Sequence, residues 1–231
     1  MGTYLKTFSL SLCLLLAACA WQTNEVKKTP MQSAIVGIDI SKYQGDVDFK
    51  QLKTSGITYV FIRASEGNTY QDPEFKSHFA KAKAAGLIVS AYHFYETNDA
   101  PHSQLANFTQ LVKLSAGDLP PVVDIERLHQ QDDTHLSENL QVYLNGLERH
   151  YGVKPIIYTG LNFANQHVTR FSQYPLWLAE YGRTQPTLPS GWSQWTFWQW
   201  SQSHALKGID GKVDADKFNG DARSFAKLLI K

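Results

Sequence analysis

From Ile35 onward, short apolar runs alternate with amphipathic stretches. The runs are Ile35–Ile40, Thr58–Ala64, Leu87–Phe94, Pro121–Glu126, Pro155–Thr159, Pro175–Tyr181, Thr196–Ser201 and Gly211–Asp214. They read as strands. The first five are each followed by helix-like sequence: Asp48–Thr54, Pro73–Ala85, His102–Ser115, Ser137–His150 and Asn162–Phe171. Asp72 is placed to cap the second helix, Pro73 fits its first turn and Gly86 ends it. Between the last three strands the segments are short or rich in Pro, Gly and Ser, so no helix is expected there. Strands alternating with helices predict parallel pairing and right-handed crossovers. Near-continuous apolar runs fit strands buried on both faces. The prediction is an α/β fold, an irregular TIM-like barrel of (β/α)5(β)3 type in a single domain. An open doubly wound sheet is the alternative.

The pattern changes before Ile35. Lys6 supplies a positive charge, and Phe8–Ala18 is apolar but too short to span a bilayer. The run ends in Leu16-Ala17-Ala18-Cys19, which resembles a bacterial lipobox. Residues 1–19 are therefore read as a lipoprotein-type signal peptide, 20–34 as a flexible tether and 35–231 as the folded domain. Lipidation of Cys19 would make the bilayer a partner, each buried methylene adding roughly 0.8 kcal/mol of affinity. Ala20 rather than Asp after the cysteine points, by analogy, to the outer membrane in a Gram-negative envelope. An ordinary secretory signal cleaved near Ala18 or Ala20 is the other reading.

Composition adds exclusions. The 231 residues carry a net charge of +1 with no basic stripe, so nucleic acid is not an expected partner. Both cysteines, Cys13 and Cys19, lie in the leader, which leaves the domain no disulfide and no thiolate metal site. No Gly-rich phosphate loop follows any strand, and no cofactor is expected. No Ser-His-Asp order with a nucleophile elbow occurs, which speaks against acyl transfer. A monomer is expected. The surplus is aromatic, with 6 Trp, 11 Tyr and 12 Phe, more than core packing alone asks for and suited to stacking on sugar rings.

In such barrels chemistry gathers at the carboxyl ends of the strands. Asp39 lies near the end of the first, Asp124 and Glu126 end the fourth, and Asp214 ends the eighth. The i, i+2 spacing of Asp124 and Glu126 puts both on one strand face, their Cα atoms about 6.6 Å apart. Two carboxyls in apolar surroundings repel each other, so one should hold its proton near neutral pH. Glycosidic cleavage needs that pairing: a protonated acid for the leaving oxygen and an ionised partner for the anomeric carbon. Salt bridges to Arg63 and Arg127 are the structural alternative. Four carboxylates with His93 could also hold a hard cation, but no second histidine stands at ligand spacing, and no metal is expected.

At these residues the sequence resembles the family 25 glycoside hydrolases, muramidases related to Chalaropsis lysozyme. The ordered motifs are Gly37-Ile38-Asp39-Ile40-Ser41 with Gln44-Gly45, Arg63-Ala64-Ser65-Glu66-Gly67 with Tyr70 and Asp72, Ala91-Tyr92-His93-Phe94, and Val123-Asp124-Ile125-Glu126. Ile157-Tyr158-Thr159, Leu176-Trp177-Leu178-Ala179 with Tyr181, Trp198-Gln199-Trp200-Ser201 and Gly211-Lys212-Val213-Asp214 follow. The resemblance implies a lysozyme that hydrolyses the β-1,4 bond between N-acetylmuramic acid and N-acetylglucosamine, with the peptidoglycan glycan strand as partner. It implies Glu126 as general acid and Asp124 as nucleophile or as the group orienting the substrate N-acetyl. Asp39 and Asp214 become supporting acids. Trp200 stands where the family often has Tyr, and Asp216 where it often has Asn.

Glu66, Tyr70, Tyr92, His93, Tyr158, Trp177 and Trp198 are the expected substrate-binding residues. Two rival functions remain: a non-catalytic peptidoglycan-binding lipoprotein, and a hydrolase of a related chitin-like polymer. The cell envelope is the expected location, as a membrane-anchored lipoprotein or else as a secreted protein.

Overall fold

The computed structural model describes residues 1–3, 34–129 and 132–231. The chain divides into Met1–Gln32 and Ser33–Lys231, and every element below belongs to the second unit. Cys19 lies outside the described residues, as do the leader and tether apart from residues 1–3 and 34. Among the described residues no helix is long and apolar enough to cross a membrane.

The strands are β1 (Val36–Ile40), β2 (Tyr59–Glu66), β3 (Tyr70–Gln71), β4 (Ile88–Phe94), β5 (Val122–Asp124), β6 (Ile156–Gly160), β7 (Leu176–Ala179), β8 (Phe197–Ala205) and β9 (Lys212–Phe218). The sheet order β1-β9-β8-β7-β6-β5-β4-β2 closes on itself because β1 also pairs with β2. β3 stands outside the ring, paired only with β2. The predicted α/β barrel is therefore present.

One strand departs from the expected parallel pairing. β9 runs antiparallel to both β8 and β1. The connection from β8 is too short for a crossover, so only an antiparallel partner is reachable. The last strand also runs on to Phe218 rather than stopping at Asp214, which places Asp214 near its start.

Period-two alternation sorts the side chains into two apolar layers. Tyr59, Phe61, Val122, Ile156, Trp177 and Phe197 fill the barrel interior. Ile38, Ile40, Val60, Ile62, Val123 and Ile157 belong to the layer between barrel and helices. Full burial of such a side chain contributes roughly 1.5–3 kcal/mol. Gly37 has to lack a side chain, because a Cβ there would sit 2.2 Å from the Tyr59 ring.

The helices are α1 (Phe49–Thr54), α2 (Phe75–Ala84), α3 (Pro101–Leu111), α4 (Asp133–Tyr151), α5 (Leu161–Phe163) and α6 (Ala222–Leu228). In α4, Leu136, Leu140, Tyr143, Leu144 and Leu147 make one buried stripe. It starts earlier than predicted because Asp132 caps it, accepting from the His135 N–H. Asp72 does not cap α2. Its carboxylate accepts from the Lys42 N–H at 3.0 Å and the Glu74 N–H at 2.9 Å, tying the loop after β1 to that turn. α3 stops at Leu111 because Asp118 draws Ser115 into a turn of its own. The helix predicted over Asn162–Phe171 breaks into α5, a wide turn over Ala164–Val168 and a tight one over Thr169–Phe171. α6 was not expected. Its Phe225 closes the interior, 5.6 Å from the Tyr59 ring and 5.0 Å from Phe218.

Candidate active site

The ends of the parallel strands and the start of β9 share one rim. A cleft of about 260 Å³ opens there, lined by Asp39, Asp124, Glu126, Asp214 and Gln199. Tyr43, Arg63, Tyr92, Phe94, Tyr158 and Trp177 complete its walls. Asp39 on β1 and Asp214 on β9 are cross-strand partners. Asp124 ends β5 between Phe94 on β4 and Tyr158 on β6. Ile125 turns into the core while Glu126 returns to the cleft, as the spacing predicts.

The two members of the pair differ in environment. Asp124 is 6% exposed, whereas Glu126 is exposed at the cleft mouth. Burial pushes the Asp124 carboxyl well above the usual carboxylate range, helped by the charge of Glu126 and a hydrogen bond to it, and by Asp39. Arg63 acts the other way. Oδ1 of Asp124 has no hydrogen-bond partner among the described residues.

Across the cleft, burial also raises Asp39, with Asp214 and Glu126 adding to the rise and Gln199 opposing it. Asp214 is raised by partial burial and by Glu126. Gln199 organises this side. Its Nε2 donates to Asp39 Oδ2 at 2.7 Å and to Asp214 Oδ2 at 3.5 Å, while its Oε1 accepts from the hydroxyls of Tyr158 and Tyr181. Beneath them Asp216 is fully buried. It accepts from Trp177 Nε1 at 2.8 Å, and its other oxygen has no partner among the described residues. Burial and the Asp39 charge raise its pKa well above the usual range. Positive charge developing in a ligand beside these acids would favour their ionised forms.

Of the predicted substrate-binding residues, Tyr92, Tyr158 and Trp177 line the cleft. Trp177 is floor rather than platform, stacked on Phe61 at 4.2 Å. Glu66 and Tyr70 lie behind Arg63: Glu66 pairs with that guanidinium, and the Tyr70 ring lies 5.3 Å from it. His93 is a correction. It faces away from the cleft, wholly buried between Ser65 Oγ at 2.8 Å and Gln104 Oε1 at 3.1 Å and stacked on Tyr143. Trp198 is a second. It is 2% exposed on the outer face of β8, donating to the Glu180 carbonyl at 2.7 Å. Both follow from parity, since Tyr92 and Gln199 beside them point inward.

Sequence reasoning missed Tyr43, which is 76% exposed at the cleft lip, and undervalued Gln199 and Asp216. Inward parity with Phe197 and Asp214 is the signal for the latter two. Tyr43 follows the strand and carries no periodic signal. Among the described residues Arg127 forms no bridge to the acids, its guanidinium lying 4.7 Å from the Phe94 ring centroid.

Comparison with known proteins agrees with this geometry. The family model for glycosyl hydrolases family 25 matches residues 38–209. Lysozyme M1 of Streptomyces globisporus is 31% identical, over 85% of this chain and 71% of its own length. The uncharacterized protein YegX of Escherichia coli (strain K12) is 33% identical over 84% of this chain and 72% of its own. The crystal structure of the bacterial lysozyme from Streptomyces coelicolor superposes with a TM-score of 0.81 at 29% identity, covering 85% of this chain and 97% of that one. With a closed barrel, an acid-lined cleft at its rim and a family match over most of the folded unit, the chain belongs to the family 25 glycosyl hydrolases.

Proposed function

We propose that the protein is a muramidase, hydrolysing the β-1,4 bond between N-acetylmuramic acid and N-acetylglucosamine in peptidoglycan. The observation that carries this reading is the Asp124–Glu126 pair, facing Asp39 and Asp214 across one cleft. Glu126, at the open side, donates a proton to the leaving oxygen. Both carboxylates are then ionised while positive charge grows at the anomeric carbon. Two adjacent negative charges are unfavourable in the resting site, and that positive charge stabilises them. Asp39 and Asp214, held by Gln199, tune the pair from the far wall. Tyr43, Tyr92 and Tyr158 offer the sugar rings aromatic faces and hydroxyls.

The leader supports placing this activity at the cell envelope, on a lipid-anchored Cys19. The test of the chemistry is digestion of purified sacculi. The protein should release reducing ends at muramic acid, and Glu126→Gln should keep its fold and lose turnover. Normal turnover by that variant would sink the assignment.

A further inference from the structure

Beside the cleft lies a second pocket of about 570 Å³ that shares Glu126 with it. Asn162, Phe163, Glu180, Tyr181 and Arg183 contribute to its wall, and Arg183 is the cation among the lining residues. The loop after β7 is built around Glu180. The Glu180 carboxylate accepts from Arg183 Nε at 3.2 Å and from both the backbone N–H and the hydroxyl of Thr187. The Glu180 carbonyl accepts from Trp198 at 2.7 Å, and the Tyr181 hydroxyl donates to Gln199. Glu180 is thus occupied by its own loop, and the loop is pinned at two points to β8. Arg183 spends Nε on Glu180, and its two terminal nitrogens have no hydrogen-bond partner among the described residues. That leaves an oriented guanidinium edge in a pocket that opens onto Glu126.

We infer that this pocket receives an anionic substituent of the polymer, a free carboxylate on the peptide attached to muramic acid, and that Arg183 is the specificity-determining residue that reads it. The inference rests on the muramidase reading. The sugar rings themselves are neutral and offer a cation nothing. The muramic lactyl ether next to the scissile bond bears a peptide with free carboxylates, and a pocket sharing Glu126 lies within reach of that position. Guanidinium and carboxylate pair through charge-assisted hydrogen bonds with defined geometry.

The experiment compares two substrates cut by the full-length protein: intact sacculi, and the same sacculi with their peptide carboxylates converted to methylamides by carbodiimide coupling. Wild type should show the higher kcat/KM on the carboxylate-bearing strands. In Arg183→Met the ratio of the two values should fall about tenfold, carried by KM, as expected for loss of one charged hydrogen-bonding group. Arg183→Lys should recover part of the ratio, since it keeps the charge without the fork. An unchanged ratio in Arg183→Met overturns the inference while leaving the muramidase reading intact. Absence of reducing ends from either substrate with wild type overturns both.

Discussion

Two buried polar clusters lie on neighbouring strands and behave in opposite ways. Around His93, both ring nitrogens are bonded, to Ser65 and Gln104, and Gln104 is itself satisfied by the Glu96 backbone. Among the described residues, one carboxyl oxygen of Asp124 lacks a partner, and so does one of Asp216. A satisfied network specifies packing; an unsatisfied one in a cleft has capacity left for a ligand. The two also titrate in opposite senses. Burial lowers His93 to about 4, so it stays neutral. Burial raises Asp39, Asp124 and Asp216, so they favour their protonated forms.

The comparison breaks most easily at its reactive half. Asp124→Asn should cut kcat on sacculi by about three orders of magnitude, in the range of lost acid–base and electrostatic groups, with no loss of thermal stability. A loss of stability equal to a core truncation would show that Asp124 is structural after all.

At the packed half the balance reverses. His93→Leu should cost about 2–3 kcal/mol in denaturant unfolding, because Ser65 and Gln104 lose a buried partner. Its kcat, corrected for folded fraction, should match wild type. The sign of the pH effect follows from the lowered pKa. Unfolding releases a histidine that binds a proton near pH 6.5, so stability falls as pH drops from 6.5 towards 4. His93 accounts for up to about 3 kcal/mol of that fall, and His93→Leu should remove this part of the slope.

A smaller effect is expected at the lip. Tyr43→Ala should raise KM about fivefold with kcat nearly unchanged, the loss of roughly 1 kcal/mol of stacking. The smallest is Asp216→Asn, which keeps an acceptor for Trp177. A carboxyl raised in the fold adds stability that is complete below its unfolded value near 4 and lost as pH rises through its folded value. The variant should therefore melt higher than wild type at pH 8 and no higher at pH 3, measured by calorimetry. Equal melting at both values would remove Asp216 from the titrating set.

Much of the barrel was legible because strand and helix periodicities are local properties. All the ring strands overlap the predicted runs, and the acid pair faces one cleft because i, i+2 on an extended chain leaves no other choice. The helix predicted over Asn162–Phe171 and the missing α6 show where local signals run out. Nothing in Asn162–Phe171 announces a wide turn, and α6 matters through one side chain, Phe225, inserted among rings from distant strands.

Residue order is enough to say which residues alternate, where the carboxylates cluster along the chain and that eight apolar runs need mutual burial. The tertiary structure alone decided which face of each strand met the cleft. Gln199 turned in and Trp198 out, and Tyr92 turned in and His93 out, because side-chain parity is assigned only when the ring closes in a definite register. It also decided how Asp214 reached the rim. The antiparallel turn of β9 brought the start of that strand, rather than its end, beside Asp39. Strand direction depends on which edge is left to pair with, and that edge exists only once the other strands are in place.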